Sequence, residues 1–193
     1  METAIPEAAP VEAATDVALV AALRRRDVWA FDELYRRYHT RLWRFLVRLG
    51  GAHMAEDLFQ DTWLAVAKHA AHLRDDTDFA AWIFTIARNR CRSHQRWAFV
   101  DRLRREWFGK EPSPAVIEPE RAAMTRQETA RVEHALDGLA PIHREVLLLV
   151  VVEGLTTEQA GKVLRLQNEA VRKRLSRART ALAERLEERN ERA

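Results

Sequence analysis

Glu169, Arg172, Lys173, Ser176 and Arg177 crowd one short basic stretch. At about 100° per residue, Glu169, Lys173, Ser176 and Arg177 fall on one side of a helix, with Arg172 and Arg179 on its flank. Lysine and arginine at such positions reach guanine O6/N7 or phosphate oxygens, and a glutamate accepts from cytosine N4. Val171, Leu175, Ala178 and Leu182 recur at helical spacing on the other side, so that face must pack on something. The residues before it supply the packing. Pro141 fits the first turn of a helix that closes at Gly154, and Thr156 with Gln159 fits a capping box opening a short helix to about Leu164. Two short helices feeding a basic one is the layout of a helix-turn-helix that reads duplex DNA.

A second basic segment lies far upstream. Between positions 88 and 105 there are seven arginines and one acidic residue, Asp101; between 165 and 179 there are six Lys/Arg and one Glu. Phe79, Trp82, Ile83 and Ile86 form an apolar stripe on the helix that begins the upstream segment, and Arg88, Arg92 and Gln95 align opposite it with Asn89 and Arg96 alongside. Arg90 continues the apolar stripe, which predicts a snorkelling side chain or a carboxylate partner. Charge runs are often nothing more than solvated helix faces. The preference for arginine favours phosphate and base-edge contacts instead.

The rest of the composition sets limits. A chain of 193 residues with 47% hydrophobic content can build two small cores, and its 6 glycines and 6 prolines include no proline between Pro10 and Pro112. We expect an all-α fold: two small helical domains joined by a flexible linker, the C-terminal one a helix-turn-helix. Residues 1–14 read as a disordered acidic tail, 15–100 as the first domain, 101–120 as a proline-bearing linker, and 121–190 as the second domain. The first domain should hold a short helix after Asp16, a long one with Phe31, Leu34, Tyr35, Tyr38, Leu42, Phe45, Leu46 and Leu49 inward and Gly50-Gly51 at its end, a third over 55–69, and a fourth from Phe79.

One cysteine, Cys91, excludes an internal disulfide and a cysteine metal site, and it fits a cytoplasmic location. No cofactor or metal is expected. Of the histidines only His69 and His72 have helical ligand spacing, and no partner stands in register. No glycine-rich phosphate loop, catalytic constellation, small-molecule substrate site or membrane-inserting run is present in the sequence.

Taken in order, AFDELYRRYHTRLWRFLVRL, AEDLFQDTWLAVAKHAAHL, FAAWIFTIARNRCRSHQR, and REVLLLVVVEGL with RLSRAR resemble a bacterial sigma-70 type sigma factor of the extracytoplasmic-function (ECF) group. The likeness covers about 150 of the 193 residues. It implies partners: core RNA polymerase through its β′ clamp helices and β subunit, promoter DNA as duplex and opened strand, and an anti-sigma factor. It also implies roles. Asp57, Gln60 and Asp61 would dock on the clamp helices with Leu58 as the apolar contact, and acidic acceptors on one helix turn suit a partner's arginines. Arg88, Asn89, Arg92 and Arg96, with Gln95, would hold the opened minus-ten strand, and the loop at 73–78 would capture an extruded base. Trp82 reads as core rather than as a stacking platform for bases, a role for which Phe84 is also considered. The C-terminal helix would read the minus-thirty-five duplex.

Departures from the family pattern fall at Ser93, where Asp is common, at Arg165, where Gly is common, and at 167–170, where a Pro-x-Gly-Thr type entry is usual. They leave base preference open. Two other readings compete: a helix-turn-helix regulator that binds duplex DNA without being a polymerase subunit, and an enzyme.

Overall fold

Thr15 accepts a hydrogen bond from the Ala18 amide at 3.3 Å and so starts α1, Asp16–Arg24. The computed structural model describes residues 14–108 and 125–190, and among them it is all-α with no strand. Asp16 occupies the first turn of α1 and also takes Arg37 Nη1 at 2.9 Å and the Tyr38 hydroxyl, tying α1 to α2, Val28–Gly50. Leu34, Tyr38, Leu42, Phe45, Leu46 and Leu49 of α2 are buried as the periodicity requires, whereas Tyr35 lies at the surface. Gly51 then takes φ 90°, a conformation open to glycine, and the chain turns into α3, Ala52–His69, and a 3₁₀ turn, Ala70–His72.

Asp78 Oδ1 accepts from the Ala81 amide at 3.1 Å and opens α4, Phe79–Phe108. Phe79, Ile83 and Phe84 enter the core, where Phe84 meets Phe45 edge-on at 5.1 Å between centroids and Phe79 meets Tyr38 at the same separation. The helix runs past both the expected domain end near Phe99 and the expected linker start at 101. Residues 101–108 contain neither glycine nor proline, so nothing local stops it before Gly109. The remainder of the expected linker and the tail up to residue 13 lie outside the described residues.

The second domain comprises α5, Thr125–Asp137; α6, Pro141–Leu147; α7, Thr157–Leu164; and α8, Asn168–Asn190. Pro141 stands in the first turn of α6, but the helix does not stay α-helical to Gly154. Its last residues, Leu148–Val152, widen into a π turn that buries Leu148 and Leu149. Thr156 and Gln159 form both halves of the expected capping box, with the Gln159 amide 3.1 Å from the Thr156 hydroxyl and the Thr156 amide 2.9 Å from the Gln159 carboxamide oxygen. The two domains pack together, chiefly α4 on α7, and their buried side chains form one continuous cluster.

Candidate nucleic-acid and docking surfaces

The turn between α7 and α8 sets the recognition face. Arg165 caps α7 at φ 57°, ψ 49°, the left-handed region, and its amide bonds the Gly161 carbonyl. Gly161 is required here: a Cβ would stand 2.8 Å from the Leu166 carbonyl oxygen. On α8, Val171, Leu175 and Ala178 are buried and Leu182 is partly so, as the apolar spacing demands. Glu169, Arg172, Lys173, Ser176 and Arg177 are all exposed on the outer side. Lys173 Nζ and Glu169 Oε1 pair at 2.6 Å one turn apart, an exposed contact worth only a few tenths of a kcal/mol and easily exchanged for a base or phosphate.

The arginine face of α4 meets a different environment. Asn89, Arg92 and Arg96 are exposed. Gln95 is exposed but donates to the Leu49 carbonyl at 3.1 Å, so it closes the end of α2. Arg88, expected among the strand-holding side chains, is only 5% exposed. Its Nη2 donates to Glu145 at 2.9 Å and its Nη1 to the Val163 carbonyl at 3.3 Å, both in the second domain. In this arrangement Arg88 does not face solvent, because periodicity places a residue opposite its own core without showing that another domain covers it. Phe84 is fully buried against Phe45, which removes it as a stacking platform, and Trp82 is partly buried beside Phe79. The loop before α4 is tied at both ends: Arg74 pairs with Asp76 at 3.0 Å, Asp75 pairs with Arg24, and Asp78 accepts from Gln159 at 3.1 Å and lies 3.6 Å from Lys162.

On α3, Asp57, Gln60 and Asp61 are exposed along one side. Asp61 lies 3.8 Å from Arg90, which corresponds to the second of the two arrangements expected for Arg90, a snorkelling side chain or a carboxylate partner. Leu58, expected as an apolar contact, is 3% exposed and packs beside Gly50 in the core, since it falls on the opposite side of the helix from Gln60. Leu64, two turns after Asp57, is 65% exposed on the acidic side.

Sigma-70 region 2 matches residues 34–108 and Sigma-70 region 4 matches 129–182. The chain belongs to the sigma-70 family. It is similar to the RNA polymerase sigma factor CarQ of Myxococcus xanthus, 34% identical over 82% of this chain and 90% of the relative. It is also similar to the ECF sigma factor SigM of Mycobacterium tuberculosis, 31% identical over 88% of this chain and 83% of the relative. Among solved structures, CnrH in complex with the cytosolic domain of CnrY superposes with a TM-score of 0.69 at 28% identity, covering 89% of this chain and 97% of that one. RpoE in complex with the anti-sigma factor NepR from Bartonella quintana superposes at 0.67 with 26% identity, covering 81% and 96%.

This sigma factor is thus of the ECF group, an alternative sigma factor that directs promoter recognition with RNA polymerase. Several of its residues escaped sequence reasoning. Leu64 could have been found by its helical spacing from Asp57. Glu145, Glu153 and Lys162 carry no signal in the chain alone, because their partners Arg88, Arg41 and Asp78 are far away in sequence. Cys91 is fully buried, and burial first, then the nearby Glu145 charge, pushes its thiol up to about 12, so it is inert as a nucleophile. The described residues include no metal-ligating cluster and no helix long and apolar enough to cross a membrane.

Proposed function

We propose that Asp57, Gln60 and Asp61 on α3 dock this sigma factor on the β′ clamp helices of core polymerase, with Leu64 as the apolar contact beside them. Asn89, Arg92 and Arg96, joined by Arg88 once it is freed and flanked by Gln95, hold the opened minus-ten strand through its phosphates. Glu169, Arg172, Lys173, Ser176 and Arg177 enter the major groove of the minus-thirty-five element. The protein works in the cytoplasm and does no chemistry of its own; bond formation belongs to the polymerase. CnrH was solved with the cytosolic domain of CnrY and RpoE with the anti-sigma factor NepR, and an anti-sigma factor is the matching partner for this chain.

The observation that carries this reading is the exposed polar side of α8 above a buried Val171, Leu175 and Ala178, within a chain that matches both sigma regions in order. Transcription reconstituted with core polymerase on candidate promoters tests the whole. Initiation that is no better with the protein than without it refutes the reading. Asp61→Lys should weaken binding to β′ while leaving helical content unchanged, and unaltered affinity would retire the docking assignment.

A further inference from the structure

Arg88 cannot serve Glu145 and a promoter phosphate at once. Resting on the strand-binding role proposed for α4, we infer that the packing of the two domains is an autoinhibitory clasp. Glu145 holds Arg88, and Gln159 with Lys162 holds Asp78, away from the opened strand. Three further features point the same way.

Among the described residues, three cross-domain ion pairs made by α2 and α4 share one polarity, and only Lys162 with Asp78 runs the other way. Arg88 meets Glu145 at 2.9 Å, Arg41 meets Glu153 at 3.3 Å, and Arg48 meets Glu133 at 3.5 Å. In each the first domain supplies the arginine and the second the carboxylate. Carboxylates of α5, α6 and the end of the π turn therefore occupy, on the first domain, the kind of cationic site that a nucleic-acid phosphate would fill. Asp78, at the end of the loop where a base would be captured, is engaged by α7 from the same side. One closure thus covers a phosphate-binding cation and the mouth of the base loop together.

The closure is also imperfect. Arg88 and Glu145 are each 5% exposed, yet Arg88 Nε has no acceptor. A buried guanidinium with an unmatched N–H is held less firmly than one whose donors are all paired. Tethering by the intervening chain raises the effective concentration of one domain at the other and so favours the closed form. DNA and Glu145 then compete for one guanidinium, while the α8 face stays open throughout.

The test uses the full-length protein with exposed Lys68→Cys and Glu184→Cys carrying a donor and an acceptor dye; buried Cys91 does not take label. Glu145→Gln and, separately, Lys162→Glu are introduced. Lys162 is exposed, so its variant keeps the fold if the buried substitution does not, and circular dichroism checks both. Affinity is measured with a short fluorescent single-stranded deoxyoligonucleotide in moderate salt. The clasp predicts a longer interdomain distance in both variants and at least about tenfold tighter strand binding, because the binding-competent fraction rises. An unchanged distance, or an increased distance with unchanged strand affinity, overturns the proposal. Arg92→Ala, outside the clasp, checks the strand assignment by itself. If it weakens oligonucleotide binding while Glu145→Gln and Lys162→Glu change nothing, the clasp is wrong and the strand surface stands. If Arg92→Ala has no effect, the strand surface falls, and with it the gating role of the clasp.

Discussion

Helices α4 and α8 are built alike, with an apolar stripe on one side and arginines on the other, yet their polar sides end in opposite surroundings. On α8 the five groove-facing candidates are exposed, and the one ion pair among them, Lys173 with Glu169, stands in solvent. On α4 the first arginine is enclosed by another domain and held by a buried carboxylate, while Asn89 next to it and Arg92 and Arg96, about one and two turns beyond, stay in water. The same residue type therefore carries two energetic roles. An exposed pair contributes about 0–1 kcal/mol, whereas removing one member of a buried pair costs roughly 3–5 kcal/mol, since it strands the other charge away from water.

That contrast gives the largest expected effect. Glu145→Ala should destabilise the packed two-domain form by about 3–5 kcal/mol, read as a lowered thermal midpoint or a split transition, and Arg88→Ala should add far less when combined with it. Glu169→Ala, which breaks the matching pair on α8, should move the same transition by less than about 0.5 kcal/mol. Equal effects from the two glutamates would erase the distinction between the helices.

The contrast also separates what the sequence made legible from what it did not. Helical periodicity located the buried stripes of α2, α4 and α8, and residue chemistry located Thr156 and Gln159 as a capping box, because these signals are local. The exposed side of α8 was legible for the same reason. Arg88 was misplaced because a helical wheel measures direction from one core, and here a second core lies across the helix. Leu58 went the other way: resemblance made it a contact, while its position beside Gly50 puts it inside. The run of α4 to Phe108 was hidden by reading the loss of an apolar repeat as the loss of helix, although arginine, leucine and glutamate sustain a helix without one.

Arg177 sharpens the comparison from the open side. Its replacement by Ala should leave stability within about 0.5 kcal/mol, since the side chain stands in solvent. Binding of the holoenzyme to the upstream element should fall by about 1–3 kcal/mol if Arg177 meets a base edge, with relaxed preference at that position. If it meets a phosphate, the slope of log affinity against log salt should drop by about one. Promoter titrations across a salt series read both, and no change in either removes Arg177 from the surface.

A smaller effect lies in the turn that aims α8. Arg165 holds φ 57°, where a Cβ is strained, and its side chain is exposed. Arg165→Gly relieves the strain but frees the unfolded chain, so the net gain should be up to about 1 kcal/mol. Chemical denaturation measures it. A loss of stability would mean that the arginine side chain makes a contribution exceeding the backbone cost.

The weakest effect expected comes from Glu153, the carboxylate that Arg41 holds with Nε at 3.3 Å and whose carbonyl oxygen takes Arg41 Nη2 at 2.5 Å. Burial raises its pKa above the usual glutamate value, and the nearby cations Arg41, Arg48 and Arg44 offset this only in part. A raised value in the folded protein means that the folded state keeps a proton which the unfolded chain has already released. Stability linked to Glu153 is therefore present below the ordinary glutamate range and declines as pH rises from that range through the raised folded value. Glu153→Gln keeps the shape and an acceptor for Arg41 but cannot ionise, so thermal midpoints followed across mildly acidic pH should fall less steeply for the variant than for the parent. Other carboxylates titrate in both proteins and cancel in the difference. A variant that follows the parent at every pH would show that Arg41 compensates the buried charge in full, making this pair energetically equivalent to the exposed one on α8.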